Sequence, residues 1–231
     1  MSGMIPTEAR KSKNLPYGTI VIDPGHGGPY IGSASPSQQV IEKHAVLELA
    51  LLLADRLRAK GFTVVLTHTG DYALDPRDLI NDLKMRAYIA REVKADILVS
   101  LHLNSSPNEK IRGFEVYVPY EDKFPMKSYA LASAIHYDLS HEVKPEFGGG
   151  TLGNVNTIDL GIRASKFNVL VHSVCPSVLV ELAYLSHKET EKQLLTKAYK
   201  DTLVDALYLG IQRYFVHEKS ASRASKVLPS L

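Results

Sequence analysis

Two histidines and two glutamates lie at the ends of predicted core elements, where their side chains could form a hydrolytic metal site. His26 lies in the turn DPGHGG, directly after an apolar segment, and His102 follows another apolar segment in SLHLN. Glu42 opens a predicted helix, and Glu181 follows the apolar run VLV. Two neutral imidazoles and one carboxylate form a three-ligand set for a catalytic zinc, with a fourth position left for water. The second carboxylate could then accept the proton of that water and donate it to a leaving amine.

Each of these residues also has a structural interpretation. A histidine at a strand end commonly serves as a hydrogen-bonded structural residue, and an acid in the first turn of a helix is favoured by the helix dipole. The glycine-rich turn around His26 lacks the Gly-Lys-Ser/Thr ending of a phosphate-binding loop. Glu181 is harder to explain in this way, because an unpaired carboxylate behind three branched apolar residues is costly to bury.

Apolar periodicity predicts strands that alternate with helices. The predicted strands cover residues 19–23, 62–67, 96–101, 114–118, 167–170 and 177–182, and the predicted helices cover 42–60, 79–93, 127–139 and, with one break, 187–215. This order predicts an α/β fold with a single domain, in which a mostly parallel twisted β-sheet of about six strands is flanked by helices on both faces. Ligands bind at the carboxyl ends of the strands in such sheets. The residues that follow the strands are therefore the candidate site.

Composition divides the chain and excludes several functional classes. Residues 1–18 and 217–231 are polar and are predicted to be an N-terminal and a C-terminal tail around a domain at 19–216. The net charge of +2 argues against nucleic acid as a partner, and no apolar run has the length of an integral membrane segment. The single cysteine excludes an internal disulfide framework. No signal peptide is present in this chain, so the protein is either made without one or is a form that has lost it.

Five segments, in this order along the chain, resemble the zinc-dependent N-acetylmuramoyl-L-alanine amidases of the amidase type 3 family. They are TIVIDPGHGG (19–28), VIEKHAVLELALLLADRLRAKGFTVVLTH (40–68), MRAYIAREVKADILVSLHLNSS (85–106), GFEVYV (113–118) and CPSVLVELAYLSHKETEKQLL (175–195). The resemblance implies that residues 19–216 are a catalytic domain. It also implies hydrolysis of the amide bond between N-acetylmuramic acid and L-alanine of the peptidoglycan stem peptide.

The resemblance further implies the role of each candidate residue. His26, Glu42 and His102 match the ligands of one Zn²⁺ per chain, and Glu181 matches the catalytic carboxylate. The remaining motif residues and the unmatched histidines are predicted to be structural or surface residues: Asp23, Asn104, His44, His68, His136, His141, His172, His187 and His217.

The expected partner is peptidoglycan, and the expected location, inferred from that substrate alone, is the cell envelope, either periplasmic or extracellular. We expect a monomer, and whether an activator protein exists is left open.

Two other functions also stay open. One is a non-catalytic cell-wall-binding module that retains the metal for structure, and the other is a zinc peptidase or deacylase with another amide substrate. The presence of Glu181 beside a complete ligand set argues against the first. Roles in cell division, in recycling and in lysis are all compatible with this domain.

Overall fold

The computed structural model of the protein describes residues 17–143 and 159–227. Within these ranges the strands are β1 (Thr19–Pro24), β2 (Thr63–Leu66), β3 (Ile97–Asn104), β4 (Phe114–Pro119), β5 (Asp159–Ser165) and β6 (Ser177–Tyr184). The helices are α1 (Glu42–Ala59), α2 (Leu79–Glu92), α3 (Pro125–Glu142), α4 (Asn168–Val171), α5 (Lys188–Leu194) and α6 (Lys197–Val227). Most of the predicted N-terminal tail, residues 1–16, lies outside the described residues.

The strands form one sheet in the order β2-β1-β3-β6-β4-β5. The first four strands in this order are parallel to one another, whereas β4 runs antiparallel to β6 and parallel to β5. Helices α1, α3 and α6 cover one face, and α2 and α4 cover the other. The predicted fold class is therefore confirmed.

Strand alternation divides the core into a large and a small cluster. Ile20 and Ile22 of β1 pack into the large cluster under α1, α3 and α6, and Val21 packs into the small cluster under α2 and α4. Successive side chains of a strand point to opposite faces. His102 therefore shares the small-cluster face with Leu98 of its own strand.

The small-cluster face becomes polar at the carboxyl ends of three parallel strands. On this face Asp23 of β1 follows Val21 and Glu181 of β6 follows Leu179, and on β3 His102 lies beyond Leu98 and Ser100. His102 and Glu181 are register partners on neighbouring strands, and Asp23 pairs in register with Ser100. Because the three strands are parallel, these side chains lie at the same edge of the sheet.

Two segments that precede β6 differ from the prediction. The strand predicted at 167–170 was wrong, because Asn168–Val171 forms the short helix α4. A segment of only four residues has no period that separates a strand from one helical turn. The segment Asp159–Ser165 was not predicted as a strand but forms β5, which pairs with β4 and is the last strand in the order of the described sheet.

Helix α6 continues beyond the predicted end at 215 and reaches Val227, so it crosses the predicted domain boundary at 216. Its last turns are rich in Ala, Lys, Arg and Ser, which can remain helical without an apolar face when they extend an existing helix. Among residues 17–143 and 159–227, every helix lacks either the length or the apolar character that crossing a bilayer requires.

Candidate metal centre

Three of the four candidate side chains converge on one point at the carboxyl edge of the sheet. Nε2 of His26 lies 3.0 Å from Oε1 of Glu42, and Nδ1 of His102 lies 3.1 Å from the same oxygen. The two imidazole rings are nearly perpendicular, with their centroids 4.9 Å apart. One ligand atom from each residue lies within 4.8 Å of the other two. Two imidazole nitrogens and one carboxylate oxygen are a donor set that suits Zn²⁺ in catalytic sites, so these residues could hold it.

The surroundings of Glu42 favour its ionised form although the residue is buried. It is the first residue of α1, and its carboxylate accepts the backbone N–H groups of Ser33 at 2.8 Å and Leu103 at 3.0 Å. Burial alone would raise the pKa of Glu42, but hydrogen bonds from His102 and His26 outweigh burial and hold that pKa well below its ordinary value. A carboxylate must be ionised to bind a metal. Glu42 meets that condition at neutral pH.

The turn that carries His26 has an unusual backbone. The φ angle of His26 is +68°, in the left-handed region that residues other than glycine rarely adopt. The N–H of Gly25 donates to the carbonyl of Leu101 at 2.9 Å, which fixes the start of the turn against β3. Gly27 and Tyr30 exchange two backbone hydrogen bonds, of 2.9 and 3.1 Å, which close its far side.

Two glycines in this region make room for the candidate ligands. A Cβ atom at Gly25 would lie 2.4 Å from Cε1 and 2.5 Å from Nε2 of the His102 ring. Gly32 has a φ angle of +71°, and a Cβ atom there would lie 2.5 Å from Oε2 of Glu42 and 2.8 Å from Cδ2 of His26. Contacts this short cannot form. The absence of a side chain at both positions is therefore part of the geometry of the cluster.

Replacing Gly25 with alanine should weaken metal binding by at least about tenfold, because the new methyl group must displace the His102 ring. We suggest measuring Zn²⁺ affinity by competition with a chromogenic chelator. Gly70→Ala is a matched control, because a Cβ atom there meets its nearest neighbours, in Tyr72, at an ordinary 3.5 Å. Equal affinity of Gly25→Ala and the parent protein would show that the ring has room to move.

The fourth candidate, Glu181, lies beside the cluster with one unsatisfied oxygen. Glu181 is 9% exposed, and its Oε2 atom has no hydrogen-bond partner among the described residues. Burial, together with the negative charges of Glu42 and Glu115, raises the pKa of Glu181 to about 8. A bound divalent cation would act in the opposite direction and favour the ionised form. A buried carboxyl group that is left unpaired destabilises a fold, and such groups persist mainly at functional sites.

The four candidate side chains line a single cavity of about 540 Å³. Its other lining residues include the amide of Asn104 and a set of apolar side chains on α2 and around α4. That apolar set consists of Leu79, Leu83, Phe167 and Val169. The cavity thus combines a polar cluster able to bind a metal with an apolar surface able to contact a substrate.

Sequence reasoning gave Asp23 a structural role, and its contacts agree with that role. Asp23 is buried and accepts hydrogen bonds from the hydroxyl groups of Thr67 at 2.6 Å and Ser100 at 2.7 Å. His68 is also buried, and its ring nitrogens lie 2.9 Å from the carbonyl oxygens of Gly70 and Pro24. Neither residue belongs to the cluster of candidate ligands found among the described residues.

Sequence reasoning missed two buried charged residues of α2, Asp82 and Arg86. They form an ion pair with Nε of Arg86 2.7 Å from Oδ2 of Asp82, and each is at most 1% exposed. The available signal was their spacing of four residues on the helix face that also carries Ala90. Opposite charges at this spacing usually lie on a solvated face, so the pattern did not indicate a buried network.

The chain is similar in sequence to known proteins. A family model described as N-acetylmuramoyl-L-alanine amidase matches residues 20–213. The germination-specific N-acetylmuramoyl-L-alanine amidase of Bacillus subtilis is 27% identical over 206 residues, which cover 86% of this chain and 80% of that protein.

Two solved structures are similar in both fold and sequence. The CwlD amidase of Clostridioides difficile, solved in complex with the GerS lipoprotein, gives a TM-score of 0.75 at 26% identity and covers 86% of this chain and 98% of its own. The second is the catalytic domain of CwlV, an N-acetylmuramoyl-L-alanine amidase from Bacillus (Paenibacillus) polymyxa var. colistinus. It gives a TM-score of 0.70 at 29% identity, and the match covers 85% of this chain and 97% of the CwlV domain.

Proposed function

The chain belongs to the N-acetylmuramoyl-L-alanine amidase family and is an enzyme of that class, and from this premise we propose that it is a zinc-dependent hydrolase of peptidoglycan. The bond cleaved would be the amide between the lactyl group of N-acetylmuramic acid and L-alanine of the stem peptide. The observation that carries the proposal is the cluster of His26, Glu42 and His102 beside the buried carboxyl group of Glu181 in one cavity.

His26, Glu42 and His102 would hold one Zn²⁺ per chain. When bound, the metal would polarise the scissile carbonyl and lower the pKa of the attacking water. The chain contributes the ionised carboxylate of Glu42, which accepts hydrogen bonds from the N–H groups of Ser33 and Leu103. It also contributes the imidazoles of His26 and His102, each with one nitrogen facing Oε1 of Glu42. Rigid support of this kind keeps the ligands in place without the metal.

Glu181 would act as the general base and then as the general acid. Its carboxylate would accept a proton from the attacking water while the water oxygen bonds to the carbonyl carbon. It would then donate that proton to the alanine nitrogen as the C–N bond breaks, leaving a carboxylic acid on the lactyl group, which loses its remaining proton to solvent, and a free amine on the peptide. Glu181 lines the same cavity as His26, Glu42 and His102, and this shared cavity would hold the attacking water.

The cavity suits a short segment of substrate. A volume of about 540 Å³ accommodates the region of the scissile amide, and the bulky glycan strand would remain outside it. The side chains of Leu79, Leu83, Phe167 and Val169 would contact the methyl groups of the lactyl and alanyl units.

We place the activity in the cell envelope, where peptidoglycan is found, with the protein acting as a monomer. Residues 19–216 would form the catalytic domain between the segments 1–18 and 217–231. The CwlD relative was solved with a lipoprotein partner, and an activator of that kind would be compatible with the reaction proposed here.

Digestion of purified peptidoglycan tests the proposal. We expect mass spectrometry to detect free stem peptides that begin with L-alanine, because hydrolysis at this amide frees the alanine amine. A chelator should remove the activity and added Zn²⁺ should restore it, since the three candidate ligands would otherwise hold no Lewis acid. Glu181→Gln protein purified in parallel controls for a contaminating hydrolase. Persistence of the products in chelator would contradict the metal requirement.

The same digestion distinguishes the two other functions considered from the sequence. A non-catalytic wall-binding module would sediment with the sacculi and release no peptide. A zinc peptidase or deacylase would require zinc but would leave the bond between N-acetylmuramic acid and L-alanine intact. Either pattern would overturn the proposed reaction.

A further inference from the structure

We propose that Arg86 is a positioning residue that fixes the turn carrying His26 and thereby sets the affinity of the cluster for its metal. This inference rests on the proposed function, because it concerns the same three ligands. It assigns a role to a buried charge that the hydrolytic reaction itself does not use.

The guanidinium of Arg86 holds the backbone of the turn directly. Nη1 donates to the carbonyl of Pro24 at 2.7 Å, and Nη2 donates to the carbonyl of His26 at 2.5 Å. The same group is paired with Asp23, with Nη1 3.1 Å from Oδ1, and with Asp82, with Nε 2.7 Å from Oδ2. Arg86 is 1% exposed, so these partners replace solvent around its charge.

The two acids fix the orientation of Arg86 because other groups hold them in turn. Asp82 accepts two backbone N–H groups from the loop before α2, at 2.6 and 3.1 Å. Asp23 accepts the hydroxyl groups of Thr67 and Ser100. A buried charge with partners on several sides can be removed only at high cost, whereas a planar guanidinium satisfies all of them together.

His26 needs such support because its own backbone does not favour the observed conformation. Its φ angle is +68°, and the adjacent residues Gly25 and Gly27 add no side chains that would restrict the turn. A residue in a sparsely populated region stays there only when its surroundings fix it. Contacts to the carbonyls on both sides of Gly25 supply this constraint and direct the imidazole towards Glu42.

A purely structural role for Arg86 makes a different prediction. The Arg86 ion pairs would then stabilise the fold, and their loss would lower the thermal midpoint without changing metal affinity. Arg213 provides the matched control, because it links α6 to Asp138 of α3 through two hydrogen bonds of 2.8 Å and does not line the cavity.

The test is the Zn²⁺ affinity of purified variants, with the visible absorption of the Co²⁺-loaded protein as a second readout of ligand geometry. Arg86→Gln should bind Zn²⁺ about 10- to 100-fold more weakly than the parent and should change the Co²⁺ spectrum. Arg86→Lys should be intermediate, because one ammonium group cannot donate to both carbonyls and both acids in the guanidinium geometry. Arg213→Gln should lower the thermal midpoint and leave both readouts unchanged.

If Arg86→Gln does not fold, Asp82→Asn serves instead, since it keeps the guanidinium but weakens its anchor, and a severalfold loss of affinity is expected. Zn²⁺ binding within twofold of the parent by a folded variant of either residue would overturn the inference and leave the proposed function standing. Failure of the parent itself to bind Zn²⁺ would overturn the proposed function, and the inference with it.

Discussion

Replacing Glu181 with glutamine should reduce turnover by at least about 100-fold while leaving metal binding intact, because a positioned general base typically contributes that much or more. The substitution keeps the size of the side chain and removes its ability to accept a proton. Glu181 lies beside the three candidate ligands but outside their cluster. Its loss should therefore affect the proton transfer rather than the metal.

The measurement is the initial rate of stem-peptide release, with the zinc content of each protein determined by elemental analysis. Glu181→Asp is the matched variant, because it keeps the carboxylate but draws it back by one methylene group, and it should retain an intermediate rate. Activity of Glu181→Gln within a few-fold of the parent would show that another group moves the proton. Loss of zinc from Glu181→Gln would instead assign Glu181 to the ligand set.

Replacing His26 with alanine should remove the metal and, with it, essentially all activity. Two ligands would remain, and Glu42 would lose one of the two imidazoles that face its Oε1 atom. The parent protein should be stabilised by added Zn²⁺, by about 2.7 kcal/mol when the free metal is at 100 times its dissociation constant. The variant should show no such stabilisation.

Thermal unfolding with and without Zn²⁺, combined with zinc analysis, checks this expectation. His44→Gln is the matched control, because His44 lies two residues after Glu42 on α1 but is exposed and faces Asp71, 3.3 Å away. It should bind zinc and be stabilised like the parent. Retention of one zinc per chain by His26→Ala would show that His26 is not a ligand.

The sequence by itself determined the fold class and the edge of the sheet at which the site lies. Long apolar runs followed by polar residues mark β1, β3 and β6 as buried parallel strands, and their carboxyl ends must meet at one edge. The candidate residues at these ends are His26, His102 and Glu181. They are recognisable because a polar side chain at the end of a buried strand is costly to bury unless it has a partner or a function.

Elements with weaker patterns were not determined in this way. The segment 167–170 contains three apolar residues and Asn168, and a segment this short satisfies either geometry. In the structure Asn168–Val171 forms α4, which packs against α2. Edge strand β5 has apolar residues at alternate positions, Leu160, Ile162 and Ala164, but Gly161 weakens this pattern, and its pairing with β4 stabilises it as a strand.

Only the tertiary structure decided the distances and the buried electrostatics on which the chemistry depends. The convergence of Glu42 with His26 and His102 requires α1 to begin beside the end of β3, and no local pattern encodes that approach. The same holds for Arg86, because its sequence position is typical of a surface helix residue. Only the structure shows that two carboxylates and two backbone carbonyls surround its guanidinium. Sequence patterns report which apolar side chains face inward, because that follows from the period of each element. Contacts between residues far apart in the chain depend on how complete elements pack, and they are settled only when the whole core forms.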